Sequence, residues 1–187
     1  MSRTQLTAIM LAGALVLAGT AWTQNDPIGK TDTVKLVVET ISPAKWVITA
    51  YVWNDEDIAA LDIPLKYTAG VAKLKVDSVS YVGTRMATFA QKYNQVDTLA
   101  QTMHFGGFAY VGSDKPPMPP GGGEVAKVYI SAIGDKKPGA FAIDTTTVAP
   151  NNSLMLVDKN AKIIVPVVKI LTSDKGKTQE QPEEKKN

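Results

Sequence analysis

The sequence predicts an all-β domain, either an antiparallel sandwich or a barrel, of about nine strands. In segments spread over residues 34–171, apolar residues recur at every second position, and polar or charged residues fill the positions between them. This alternation is typical of strands that have one face on a core and the other in water. Clusters of Gly, Pro, Asn and Asp separate the segments at short intervals, which favours a sandwich or barrel over alternating strands and helices.

The first half of the domain contains four predicted strands. They are residues 34–38, 46–53, 61–67 and 74–76. In each of them one face is apolar and the other is more polar, so each strand is expected to be half-buried. Trp46 and Trp53 fall on opposite faces of one strand because their spacing is odd, and only one of them is expected in the core.

The second half contains five further predicted strands and two segments that break the pattern. The strands are residues 98–111, 125–132, 140–143, 154–157 and 163–171. Gly106 and Gly107 interrupt the first of these and indicate a bulge or a bend. Residues 84–96 have a spacing compatible with one or two helical turns or with an irregular crossing loop. Residues 113–123 are rich in Pro and Gly and predict an exposed loop.

The first residues have the three parts of a secretory signal peptide. Arg3 supplies a positive charge, residues 6–18 form an apolar run, and small residues follow at positions 19–21. The run is shorter than the roughly 20 apolar residues of a membrane-spanning helix. We therefore expect cleavage near Trp22 or Thr23, no membrane span after cleavage, and a secreted, extracellular or cell-envelope location.

The chain divides into four predicted regions. They are a signal peptide (residues 1–21), a polar lead-in (22–33), the β-domain (34–171) and a charged tail (172–187). The tail has almost no apolar residues, so it cannot bury enough surface to offset the entropy lost on ordering. It is therefore expected to be disordered.

Composition argues against several classes of function. The formal net charge is +2 and no basic stripe is present, which argues against a nucleic-acid partner. The chain has no cysteine, so disulfides and thiolate metal sites are excluded. His104 is the only histidine and no serine lies in a nucleophile-elbow motif, so we predict no catalytic residues and no enzyme activity. An enzyme would need His104 in a pocket beside a carboxylate of shifted pKa.

The acidic run between two predicted strands is the best candidate for a cation site. Asn54, Asp55 and Asp57 offer oxygen ligands on one connection, and calcium is bound by clusters of such oxygens. The alternative is a turn whose side chains cap its own backbone and keep the sheet edge soluble. We expect either no cofactor or calcium at this run.

Aromatic side chains form the other candidate site. Tyr51, Trp53 and Tyr129 are predicted to line one outer surface, and Tyr110 is a further candidate. Such rings can stack on sugar faces or pack against a protein partner. The alternative is that they are ordinary strand residues of high β-propensity.

Several stretches resemble the cohesin-like domains of bacteria, which belong to a superfamily of β-sandwiches that also contains carbohydrate-binding modules. The resembling stretches are residues 45–57 (KWVITAYVWNDED), 60–67 (ALDIPLKY), 123–130 (GEVAKVYI), 154–158 (LMLVD) and 158–161 (DKNA). The resemblance implies an antiparallel jelly-roll sandwich of about nine strands, in an exported protein that holds a protein partner on one sheet face.

The expected function is therefore a secreted or envelope-associated, non-catalytic binding module for protein–protein interaction or extracellular assembly. The alternative is a carbohydrate-binding module that uses the exposed aromatic side chains to bind a polysaccharide. An enzyme built on His104 is the third hypothesis.

Overall fold

Eleven strands make up the described part of the chain, which is residues 29–109 and 115–173 of this computed structural model. In chain order they are β1 (Thr33–Ser42), β2 (Lys45–Asn54), β3 (Ile58–Ala69), β4 (Lys73–Ser80), β5 (Gln91–Asp97), β6 (Thr102–Phe108), β7 (Gly121–Ile133), β8 (Phe141–Thr145), β9 (Met155–Asp158), β10 (Ile163–Ile164) and β11 (Val167–Ser173). These two ranges contain no helix.

The strands form two sheets that pack face to face. Sheet A has the order β11–β1–β2–β7–β4, and sheet B has the order β10–β9–β3–β6–β5, with β8 also paired to β3. β1 and β11 are parallel to each other. All other pairs of neighbouring strands are antiparallel. The predicted antiparallel sandwich of jelly-roll type is therefore confirmed.

The strand count exceeds the predicted number for two local reasons. β5 occupies the second half of residues 84–96, the segment expected to form helical turns or an irregular loop, whereas residues 84–90 lie outside the strands. The predicted strand over residues 163–171 is divided into β10 and β11, because Pro166 stands between them and has no backbone N–H to donate to a ladder. In addition, β6 begins only at Thr102, since residues 98–101 form the turn that follows β5.

Predictions about two glycine-containing segments need correction. In the first segment, residues 115–120 lie outside the named strands and are mostly exposed, as predicted. Residues 121–123 belong to β7 and not to an exposed loop, and nearby Met118 is buried and exchanges two backbone hydrogen bonds with Ile58. The register of β6 with β3 and with β5 runs without a shift through Gly106 and Gly107, so there is no bulge at this point. These two glycines instead allow neighbouring backbone and side chains to approach closely.

The core is sealed by alternate side chains of both sheets. Trp46 in β2 is 4% exposed, and its ring stacks on Phe141 of β8 with centroids 4.7 Å apart, so this contact joins sheet A to sheet B. Trp53, on the opposite face of β2, is 36% exposed, as the odd spacing predicts. The largest fully buried side chains are Tyr67, Phe105, Leu36, Ile48, Ile58, Leu61, Ile63, Leu65, Leu74, Met86, Met103 and Met118.

Some predictions fall on residues that the structure does not describe. The predicted signal peptide (1–21), most of the lead-in, Tyr110 and the part of the predicted tail after residue 173 lie outside the described ranges. At the domain boundary, β11 continues to Ser173, two residues beyond the predicted end at residue 171. Within residues 29–109 and 115–173, we find no helix with the length and apolarity that a bilayer crossing requires.

Gly106→Ala is expected to lower the free energy of unfolding by about 2 kcal/mol or more. A Cβ at this position would overlap the backbone carbonyl oxygen of Leu61 and lie 2.8 Å from the hydroxyl of Tyr93. Gly139→Ala is the matched control, because its added Cβ meets neighbouring backbone only at 3.4 Å, an ordinary contact. Chemical denaturation of both variants, followed by circular dichroism, measures the difference. Equal losses in the two variants would contradict the close packing at β6.

Candidate interaction surfaces

The outward side of sheet B is set by the alternation along β6. Met103 and Phe105 are fully buried in the core. Successive side chains of a strand point to opposite faces, so His104 and Phe108 belong to the outer face. Phe108 is 42% exposed, which is unusual for a large aromatic side chain on a packed sheet.

An apolar depression surrounds this ring, and we call it the Phe108 groove. Its volume is about 290 Å³. It is lined by Ala59, Ala60, Phe108, Val157, Asp158, Lys159 and Ala161. Ile163 is paired with Val157 on the neighbouring strand and is 60% exposed, so the apolar surface continues beyond the groove. The small side chain of Ala60, paired with Phe108, leaves the depression open.

A buried polar network lies beside the Phe108 groove on the same face. The Nδ1 atom of His104 is 3.1 Å from Oδ1 of Asp62, and its Nε2 atom is 3.0 Å from Oε1 of Gln95. Asp62 is 1% exposed and His104 is 6% exposed. The ring of Tyr93 packs between the imidazole and Phe108, with centroid distances of 5.5 Å and 5.6 Å. The network therefore supports the aromatic side chains that form this face.

Burial dominates the ionisation of this network. It raises the pKa of the Asp62 carboxyl above the ordinary value of 3.8, although hydrogen bonds from His104 and Tyr93 oppose the shift. Burial also raises the pKa of the Tyr93 hydroxyl, and the nearby charge of Asp62 adds to the effect. Burial raises the pKa of Tyr81, whose hydroxyl donates to the Tyr93 carbonyl, to about 12.

The arrangement of His104 meets only part of what catalysis would need. A carboxylate of raised pKa does lie beside the imidazole. However, both ring nitrogens are engaged by Asp62 and Gln95, and the ring is almost fully covered. A general base must reach the proton that it removes from a substrate. The described geometry is therefore that of a packed imidazole with a protein partner at each ring nitrogen.

The outer face of sheet A carries a second depression, which we call the Trp53 groove. Its volume is about 440 Å³. It is lined by Thr33, Lys35, Tyr51, Val52, Trp53, Gly122, Gly123 and Lys169. Trp53 forms one wall, and Gly122 is paired with it on β7. The Nζ atom of Lys35 lies 4.5 Å from the ring centroid of Tyr51.

The structure brings together two of the four predicted aromatic residues. Tyr51 and Trp53 share the Trp53 groove. Tyr129 is on the same outer face but is paired with Val47, six residues along β2 from Trp53, which is roughly 20 Å away at the rise of a strand. Tyr110 lies outside the described residues.

Of the three predicted calcium ligands, Asp55 and Asp57 line one cavity together with Glu56, and Asn54 is not among the residues that line it. Asn54 is fully buried, and its Oδ1 atom accepts a hydrogen bond of 2.8 Å from Arg85. Its Nδ2 atom donates to the carbonyl of Pro119. Asp57 forms an ion pair of 2.9 Å with Lys159. Asn54 and Asp57 are thus engaged in holding loops together at this end of the sandwich.

Asp55, the third predicted ligand, joins a different acidic group. Its carboxylate lies with those of Asp32 and Glu56, and one oxygen from each falls within 4.8 Å of the others. The backbone N–H of Lys30 donates to Asp55 at 2.5 Å and holds the pKa of this carboxyl below 3.8. Calcium binding stays a prediction, with Asp32 and Glu56 as the residues that the structure groups with Asp55.

Sequence reasoning missed several residues of these two surfaces. Phe108 lies three positions after buried Phe105, so the strand alternation already indicated an outward ring. By contrast, Lys35 and Lys169 become neighbours only through the parallel register of β1 and β11. No local pattern in the sequence carries that information.

The stability of the wild-type chain relative to Asp62→Asn is expected to fall as pH rises from 3.8 through the raised pKa of Asp62. In that interval the folded chain holds a proton that the unfolded chain has released, so rising pH favours unfolding. Asn at this position keeps an oxygen for His104 but does not titrate. Denaturant unfolding of both chains across this interval measures the difference. A difference independent of pH would contradict the raised pKa, and carboxyl NMR titration of Asp62 provides the direct check.

The sequence matches no protein-family model and no curated protein. Among solved structures, the chain is similar to the sixth cohesin of scaffoldin B from Acetivibrio cellulolyticus, which was solved with a dockerin. The TM-score is 0.56, the sequence identity is 12%, and the match covers 77% of this chain and 100% of that chain. It is also similar to a type I cohesin–dockerin complex of OlpC from Clostridium thermocellum, with a TM-score of 0.58, 15% identity, and coverage of 81% and 99%. A third is the seventh ScaB type I cohesin from Pseudobacteroides cellulosolvens, with a TM-score of 0.52, 14% identity, and coverage of 82% and 99%. At these identities the likeness shows the fold, and the fold of this chain is cohesin-like.

Proposed function

We propose that this chain is a secreted or envelope-associated, non-catalytic protein-interaction module that holds its partner on the outer face of sheet B. The observation that carries the proposal is the Phe108 groove, an apolar depression on an open sheet face. Exposed aromatic side chains in such depressions are typical anchors of protein interfaces. Phe108 and Ile163 would lose exposed apolar surface on binding, which favours association.

The contrast between the two sheets supports the choice of sheet B. The outer face of sheet A is crossed by charged side chains, among them the ion pair of Lys127 with Glu124 at 3.3 Å. On sheet B, the lining of the Phe108 groove is mainly apolar, and the groove carries its charges, Asp158 and Lys159, at one side. On the other side of Phe108, the exposed polar residue Gln91 of β5 is paired with it. An apolar centre with a polar rim is the usual composition of a protein interface.

The solved structures of similar fold support a protein as the partner. Two of the cohesins described above were solved in complex with dockerins. The packed state of His104 supports a module without catalysis, because both nitrogens of the only imidazole are engaged. A dockerin-like domain is therefore the first class of partner to test.

Phe108→Asp is expected to weaken partner binding by about 100-fold or more, because it places a carboxylate in the centre of an apolar contact. Isothermal titration calorimetry of the purified chain against a panel of dockerins measures the change. Trp53→Asp is the matched control, since it makes the same kind of change on the opposite sheet and should leave binding unaltered. Equal loss in both variants would contradict the assignment to sheet B, and a lack of binding to every dockerin would contradict this class of partner.

Export is tested separately through the N-terminus of the mature protein. Expressed from its own first residue in a bacterial host, the chain is expected to leave the cytoplasm and to begin at Trp22 or Thr23, as mass spectrometry would measure. Leu15→Arg interrupts the apolar run and should block both export and cleavage. Exported protein that retains Met1 would contradict the predicted signal peptide.

A further inference from the structure

Three glycines, residues 121–123, lie at the start of β7 beside Trp53, and the fold explains only two of them. Glycine in a strand contributes no packing and loses much conformational entropy on folding. Gly121 has a φ of 133°, and a Cβ on Gly123 would lie 2.8 Å from Arg85, so the fold requires both of these glycines. At Gly122, an added Cβ would meet only the indole of Trp53, at 3.2 Å. The missing side chain keeps the flank of this ring open to the groove.

Two lysines of like charge stand side by side in the same groove. Lys35 and Lys169 are partners in the register of the parallel strands β1 and β11, so their backbones are about 4.8 Å apart. Like charges at such positions repel each other. Among the described residues, neither lysine forms an ion pair, and no carboxylate lines the groove. A bound anion would relieve the repulsion.

On the outer face of sheet A, the cross-strand row that contains Lys35 and Lys169 is next to the row that contains Trp53. Lys35 pairs with Tyr51, and the next outward position of β1, Thr33, pairs with Trp53. The two rows are therefore about 7 Å apart along the strands. The ammonium group of Lys35 lies over the ring of Tyr51, and both residues line the groove.

We propose that the Trp53 groove binds an acidic polysaccharide, with a uronic-acid unit stacked on the indole and its carboxylate held by Lys35 and Lys169. A pyranose ring has an apolar face of C–H groups that packs on an aromatic ring, and a uronate carries its negative charge at the ring edge. The separation of about 7 Å between the lysines and Trp53 would let the sugar ring stack on the indole while its carboxylate reaches the ammonium groups. This site is on the opposite sheet from the Phe108 groove, so it adds a second binding function to the one proposed above.

The first test is gel retardation of the full chain in the presence of defined polymers. We expect polygalacturonate to retard the protein and hydroxyethylcellulose, a neutral polymer, to leave its mobility unchanged. Retardation should weaken as salt is raised, because exposed charge contacts are screened. Poly-glutamate is included as an acidic chain without sugar rings. It should bind at least about tenfold more weakly than polygalacturonate, because it cannot stack on the indole.

Variants then test the two chemical features separately. Trp53→Ala should weaken binding to polygalacturonate about tenfold, whereas Trp53→Tyr should retain most of it. Gly122→Val fills the groove without removing the indole and should likewise weaken retardation. The double variant Lys35→Ala/Lys169→Ala should weaken binding and remove its dependence on salt. Thermal unfolding of each variant shows whether it remains folded.

Matched controls lie on the other sheet. Phe108→Ala removes an exposed aromatic ring and Lys66→Ala removes an exposed lysine of β3, and both should leave retardation unchanged. The proposal is overturned if polygalacturonate does not retard the wild-type chain, or if the neutral polymer or poly-glutamate binds equally well. It is also overturned if folded Trp53→Ala or Gly122→Val binds as the wild type does. Phe108→Asp distinguishes the two functions, because it should weaken protein binding as stated above and leave polysaccharide binding intact.

Discussion

The structure depends on one constraint, which is that each strand must bury one of its two faces in the core between the sheets. Trp46 meets this constraint in β2 by stacking on Phe141 across the core. Because the side-chain period of a strand is two, Trp53 is then directed outward on sheet A, and Phe108 is directed outward on sheet B because Phe105 of the same strand is buried. The two outer faces are separated by the whole thickness of the sandwich. They can therefore acquire different chemistry without interfering with each other.

Sheet B combines an open apolar groove with polar groups that are almost completely covered. Burying a carboxyl and an imidazole is unfavourable unless their hydrogen bonds are satisfied. Asp62 and Gln95 engage both nitrogens of His104, and Tyr93 packs over the imidazole beside Phe108. Such a network favours one arrangement of the side chains behind the groove. Less conformational entropy would then be lost on binding of the proposed partner, which would favour affinity.

The alternation of apolar residues was sufficient to predict the class of fold, but not the pairing of strands. β5 was missed because its residues, QKYNQVD, contain few apolar side chains and form an edge strand exposed on most sides. The opposite orientations of Trp46 and Trp53 follow from spacing alone. The contact of Asp62 with His104 and the distance of Tyr129 from Trp53 depend on register between strands. Between β2 and β7 this register shifts at Val125 of β7, which is left unpaired opposite Ala50 and Tyr51. Register is set by the whole sheet, and no single segment encodes it.

The parallel pairing of β1 with β11 also determines how the domain would bear mechanical load. β1 enters the domain at Thr33, and β11 leaves it at Ser173, at opposite ends of one ladder whose register runs from Thr33–Val167 to Glu39–Ser173. Tension applied through the two ends would act along these strands. The ladder hydrogen bonds would then be loaded in shear and would have to break together, not one after another from an end. A module inserted in series between other tethered parts would therefore resist extension at its first and last strands.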